Sequence, residues 1–70
     1  MSTRATPEQI GDLPRIGRPA NSALLAIGVT TLEEVAALGE ARLLALHGVG
    51  PEAIRILREA LERDGRSLDA

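Results

Sequence analysis

The chain contains no cysteine, no phenylalanine, tyrosine or tryptophan, and no lysine. The first absence removes disulfides and thiolate metal sites as sources of stability or chemistry. The second excludes stacking of bases on aromatic rings, and with it single-strand binders of the stacking type. It also leaves Leu, Ile, Val and Ala to build the core, which suits short helices packed closely. The third leaves eight cations that are all Arg. An Arg-biased genome accounts for that without any function; a preference for forked phosphate donors accounts for it with one. Long apolar runs are missing as well, since nothing approaches the ~20 residues that span a bilayer. Met1 to Pro7 are polar and lack the apolar stretch of a secretory signal. The expectation is a soluble, cytoplasmic protein with no membrane partner.

Seventy residues make one domain. A chain of this size buries only about 60% of the surface its unfolded form exposes, so its stability margin is thin. The net charge of −2 argues mildly against strong nucleic-acid binding, because backbone affinity comes from neutralised phosphates. The distribution says more than the sum. From Leu13 to Leu32 the only charged residues are Arg15 and Arg18, whereas from Glu33 to Glu40 the only ones are Glu33, Glu34 and Glu40. A positive first third precedes an acidic middle.

Glycines at 11, 17, 28, 39, 48, 50 and 65 divide the chain into pieces of helical rather than alternating periodicity. Met1 to Thr6 reads as a disordered tail and residues 7–68 as the domain. Pro7 to Ile10 fits a short helical turn, with Thr6 as N-cap. A first helix is predicted from about Pro19 to Ile27, with Ala20, Ala23, Leu24 and Ile27 as its apolar stripe and Gly28 as its stop. A second runs from about Leu32 to Leu38. Thr31 and Glu34 have the spacing of a capping box, hydroxyl to one backbone N–H and carboxylate back to the other. A third runs from about Glu40 to Leu46, with Leu43, Leu44 and Leu46 apolar. The fourth spans about Pro51 to Asp64, with Ala53, Ile54, Leu57, Ala60 and Leu61 inward and Ile56 on the flank. Gly65 closes it.

Between the last two helices lies Leu46-His47-Gly48-Val49-Gly50-Pro51. A hairpin this tight needs a residue at positive φ, which Gly48 or Gly50 supplies. Val49 points into the core. The N–H groups after Gly50 have no intrahelical partner and carry the positive end of the helix dipole, so they form a ready anion site. The chain resembles the helix-hairpin-helix family on this segment, 47–50, whose hairpin reads apolar-x-Gly-apolar-Gly. Leu13-Pro14-Arg15-Ile16-Gly17-Arg18-Pro19-Ala20 is similar to a diverged copy, with the hairpin at about 14–19 and Ile16 and Gly17 in the places of Val49 and Gly50. Pro19 falls one residue later than Pro51. The resemblance implies an all-α, four- to five-helix tandem helix-hairpin-helix domain, a bundle like that of SAM domains. In the family the hairpin N–H groups grip a DNA phosphate across the minor groove without reading sequence.

A closer resemblance is to the C-terminal domain family of bacterial RNA polymerase alpha subunits. Arg18-Pro19-Ala20-Asn21-Ser22-Ala23-Leu24 and Gly28-Val29-Thr30-Thr31-Leu32 follow that family's order, and the likeness extends from about Ile16 to Leu68. It implies that Arg18 and Asn21 contact DNA. The candidate DNA-binding residues are therefore Arg15, Gly17, Arg18, Asn21, Gly48 and Gly50. One departure is plain. Where the family has Lys or a small hydroxyl residue after the second hairpin, this chain has Pro51, Glu52 and Ala53. Glu52 satisfies the helix dipole internally and repels a phosphate, so only the first hairpin keeps a cationic approach.

The bland readings stand beside these. The glycines make tight turns whether or not a ligand binds. Asn21 fits a solvent-facing or capping role, His47 fits a hairpin surface, and Arg55 and Arg58 fit pairs with Glu52, Glu59 or Glu62. No nucleophile lies beside a base and no paired carboxylates mark a cleft, so an enzyme, a cofactor and a small-molecule substrate are not expected. The first reading is weak, largely sequence-independent binding to double-stranded DNA, within a larger transcription or DNA-processing complex. The alternative is a protein-interaction module of the same fold whose DNA binding has been lost.

Overall fold

Four helices make up the regular structure of the described residues, 6–68, in a computed structural model of the chain: α1 (Arg18–Ala26), α2 (Leu32–Leu38), α3 (Glu40–Ala45) and α4 (Pro51–Arg63). No strand occurs among them, so the chain is all-α. None of the helices is long and apolar enough to cross a membrane. The expected tail falls mostly outside the described residues; Thr6, which was counted with it, is buried.

Local signals place the helix boundaries. Thr31 Oγ1 accepts from the Glu34 N–H at 3.1 Å, and Glu34 Oε1 accepts from the Thr31 N–H at 3.2 Å, so the capping box is complete. Glu34 Oε1 also accepts from the Thr30 N–H at 3.0 Å. That bond, and then the Thr31 hydroxyl, hold the Glu34 carboxyl below its ordinary range. A second cap on α2 comes from twenty residues upstream, where Asp12 Oδ1 accepts from the Leu32 N–H at 2.8 Å. At the end of α1 the Val29 N–H bonds the Leu24 carbonyl at 2.9 Å and the Gly28 N–H bonds that of Leu25 at 3.0 Å. The end of α4 repeats the pattern, with Arg66 on Leu61 at 2.7 Å and Gly65 on Glu62 at 3.1 Å. Both are paired-bond helix stops of the Schellman type.

One expected element is absent. Residues 7–10 form bends rather than a helical turn. An isolated turn has little stability of its own, and here tertiary contacts outweigh it. Ile10 and Leu13 are drawn into the core, and the Pro7 carbonyl accepts a hydrogen bond from the Asn21 side chain. The segment therefore crosses α1 as an irregular strap.

The core joins all four helices. Leu13, Leu24, Val35, Leu43, Leu57 and Leu61 are fully buried, and Ile10, Ala20, Val29, Leu32, Val49, Ala53 and Ile54 complete the cluster. Helices α2, α3 and α4 pack against one another pairwise. The inward face expected of α4 is the observed one, with Ala60 partly buried beside it. Two expected core positions are exposed instead: Ile27 at 46% and Leu44 at 46%. Ile27 shares the phase of Ala20 and Leu24 but is the C-cap of α1, where the chain leaves the helix at φ −106° and ψ 10°. In the short helix α3, Leu43 alone is buried.

The start of α1 and the turn between α3 and α4 meet through the backbone. Gly48 has φ +101°, and a Cβ placed on it would lie 2.6 Å from the Pro19 carbonyl oxygen. Gly50, by contrast, has an ordinary φ of −106° and open space where a Cβ would go. The positive-φ role thus belongs to Gly48 and not to Gly50. Gly48→Ala is expected to cost on the order of 2 kcal/mol from φ strain and overlap with Pro19. Gly50→Ala is expected to stay within about 0.5 kcal/mol of the parent. Chemical denaturation of the two variants checks the contrast, and equal losses would contradict the assigned roles.

The capping box carries its own pH signature. Because the folded Glu34 carboxyl titrates below its unfolded value, its contribution is complete above the ordinary carboxylate range. The contribution fades as pH falls through the folded value. Lowering pH from about 6 to about 3 should therefore reduce the melting temperature of the parent more than that of Glu34→Gln. Parallel melting curves across that range would remove the assignment.

Candidate functional site

The segment expected as the first hairpin, 14–19, has no helix before it and leads through Gly17 into α1. Gly17 is the N-cap with φ 96°, and no side chain caps the helix. With Arg18 as the first helical residue, Pro19 takes the second position, whereas Pro51 takes the first position of α4. The one-residue offset seen in the sequence is thus absorbed by where each proline falls in its first turn. It also changes the donors on offer. Pro19 has no N–H, Ala20 is buried, and the Asn21 N–H already bonds the Gly17 carbonyl at 3.0 Å. Of the hairpin amides 17 to 20, those of Gly17 and Arg18 belong to exposed residues.

Around this helix start lies an open depression of ≈ 280 Å³ lined by Glu8, Arg15, Gly17 and Arg18. Arg18 Nη2 donates to Glu8 Oε1 at 3.1 Å, and Arg15 Nη1 lies 3.9 Å from Glu8 Oε2. Each guanidinium thus faces a different oxygen of one carboxylate. All three side chains are open to water, with relative exposures of 75%, 50% and 62% for Arg15, Arg18 and Glu8. Glu8 did not figure among the sequence candidates. Its distance along the chain hides it, because only the path of the strap brings it to the hairpin.

Asn21 corrects the expectation drawn from the family resemblance. Its side chain is fully buried, so it does not share Arg18's exposed face and cannot reach a DNA strand in this conformation. Nδ2 donates to the Pro7 carbonyl at 2.9 Å, while Oδ1 has no partner among the described residues. At the fourth position of α1 the side chain turns inward beneath the strap, whereas Arg18 at the first position turns outward. Asn21 is thus the anchor that holds residue 7, and through it positions Glu8 beside the arginines.

The second hairpin, built on Gly48, Val49 and Gly50, offers less to an anion. Val49 is buried as expected, His47 is exposed, and Ala53 is buried. Glu52 is paired to Arg55, with Arg55 Nε donating at 3.1 Å, and Arg55 Nη1 also reaches Glu59 Oε2 at 2.9 Å. The Arg55 hydrogen bond, then its charge, lower the Glu52 pKa and keep the carboxylate ionised beside the helix start. Arg58 pairs with Glu40 on α3, which ties α4 to its neighbour rather than freeing a cation. The structure thus brings Arg15, Gly17 and Arg18 together at one exposed place, and separates Asn21 from them by burial.

Removing the Asn21 amide leaves the Pro7 carbonyl unpaired and a gap beneath the strap. Asn21→Ala should therefore destabilise the domain by about 1–3 kcal/mol. Arg18→Ala should stay within about 0.5 kcal/mol, as expected of an exposed side chain in a solvated pair. Urea denaturation of the two variants separates the roles; a neutral Asn21→Ala would refute the anchor. No protein-family model, curated protein or solved structure matches this chain.

Proposed function

We propose that the chain is a non-enzymatic module that grips the phosphate backbone of double-stranded DNA at its first hairpin. The observation that carries this reading is the convergence of Arg15 and Arg18 on one oxyanion beside an uncapped helix start. A guanidinium that accepts a carboxylate also accepts a phosphate, because both present paired oxygens to its planar fork. The helix start adds partial positive charge and the N–H groups of Gly17 and Arg18. Nothing in this set reads base edges, so binding is largely independent of sequence.

The finer reading of the fold goes with it. Helices α3 and α4 with the turn between them form one helix-hairpin-helix unit, and the start of α1 is a diverged copy in which the irregular strap stands where the first helix of the pair would be, in a SAM-like tandem. The backbone approach of Gly48 to Pro19 supports this pairing, since it sets the two hairpins side by side. The second hairpin has a supporting role, because Glu52 and the paired Arg55 and Arg58 leave it few free positive groups.

Two phosphate contacts give a Kd on the order of 10⁻⁴ to 10⁻⁶ M and a salt slope of about 0.9 per phosphate. Such a module acts by avidity within a larger DNA-bound assembly of the transcription or DNA-processing kind. The test is an NMR titration with a short duplex at low salt. Amide shifts confined to residues 15–20 are expected, and Arg15→Ala with Arg18→Ala should abolish them. Unchanged affinity in that double variant would sink the reading.

A protein-interaction module is the second reading, favoured by the exposed apolar side chains Leu25, Ile27 and Leu44. It gains if no hairpin amide responds to duplex at tens of micromolar.

A further inference from the structure

We propose that Glu8 is a built-in competitor at the first hairpin: its carboxylate occupies the place a DNA phosphate takes and attenuates binding there. The proposal rests on the phosphate-binding reading and adds a regulatory element to it.

Glu8 is held near the arginines from both sides along the chain. On one side the Pro7 carbonyl is fixed by Asn21 Nδ2 at 2.9 Å. On the other, Gln9 Nε2 donates to the Leu13 carbonyl at 2.9 Å, and Ile10 and Leu13 are locked in the core. The residue 8 backbone is therefore positioned by buried contacts, while its side chain extends to the surface. A carboxylate anchored in this way is present at high effective concentration beside Arg15 and Arg18.

Chemistry supports the mimicry. A carboxylate and a phosphodiester each carry one negative charge and two oxygens suited to guanidinium donors. Glu8 presents Oε1 to Arg18 and Oε2 to Arg15, at 3.1 and 3.9 Å. An incoming phosphate must take those donors. Because the backbone stays fixed, the displaced carboxylate rotates into water yet remains close, and it repels the phosphate that replaced it. Exposed ion pairs are weak, so the competitor dampens binding and does not block it. Their usual strength translates into a change in Kd of up to about fivefold.

The experiment measures duplex affinity at low salt by fluorescence anisotropy for the parent, Glu8→Gln, Arg18→Ala and the double variant. Glu62→Gln on α4 serves as the control for a generic loss of one negative charge. Glu8→Gln is expected to tighten binding two- to fivefold, clearly more than Glu62→Gln. The gain should shrink on the Arg18→Ala background, where only the longer Arg15 contact to Glu8 remains. Glu8→Ala provides a second removal of the carboxylate, with melting curves confirming that each variant is folded. Equal affinity of Glu8→Gln and the parent overturns the competitor, as does an equal gain from Glu62→Gln or a gain undiminished by Arg18→Ala. In those cases, Arg18-dependent binding by the parent leaves the phosphate reading standing. Absence of duplex binding from every variant, Glu8→Gln included, removes both.

Discussion

The approach of the Gly48 backbone to the Pro19 carbonyl is the constraint on which the site geometry depends. No side chain fits between them. That contact sets the start of α1 against the hairpin joining α3 and α4. The direction in which Arg18 leaves its helix follows, as does the inward turn of Asn21 three residues later. Leu24 then reaches the shared core from the same helix. A domain without aromatic side chains has few large groups to bridge gaps. Close backbone approach at glycine is the physical alternative, since packing at crystal-like density is needed whatever the residues.

The strap of residues 6–13 completes the arrangement. It supplies Ile10 and Leu13 to the core, Asp12 as a second cap on α2, and the Pro7 carbonyl as partner for a buried amide. Each bond satisfies a group that burial or a helix terminus would otherwise leave unpaired. One atom escapes, Asn21 Oδ1, which is buried with no partner among the described residues. The strap also delivers Glu8 to the arginines, so the segment that stabilises the fold is the one that brings a carboxylate to Arg15 and Arg18.

Electrostatics divides the two helix starts, that of α4 from that of α1. On α4, Glu52, Glu59 and Glu40 absorb Arg55 and Arg58 along and between helices. At the start of α1, one carboxylate is shared between two guanidinium groups, which leaves one positive charge in excess there. That asymmetry gives an overall acidic chain a locally positive place, and local potential governs an encounter with phosphate within a Debye length of about 10 Å.

The order of residues by itself determined the helices and their ends. Thr31 with Glu34, the glycines after Ile27 and Asp64, and the spacing of Ala53, Ile54, Leu57 and Leu61 act within one or two turns, so neighbours in sequence suffice to read them. The exposed pair Arg15 and Arg18 beside Gly17 was legible for the same reason. Only the tertiary structure decided which glycine of the second hairpin needs positive φ, that Asn21 is an anchor facing inward, and that residues 7–10 forgo a helical turn. It alone brought Glu8 to Arg18 and Asp12 to Leu32. These outcomes turn on contacts between residues ten or more positions apart, where burial and backbone approach outweigh local propensity and leave no periodic trace in the chain.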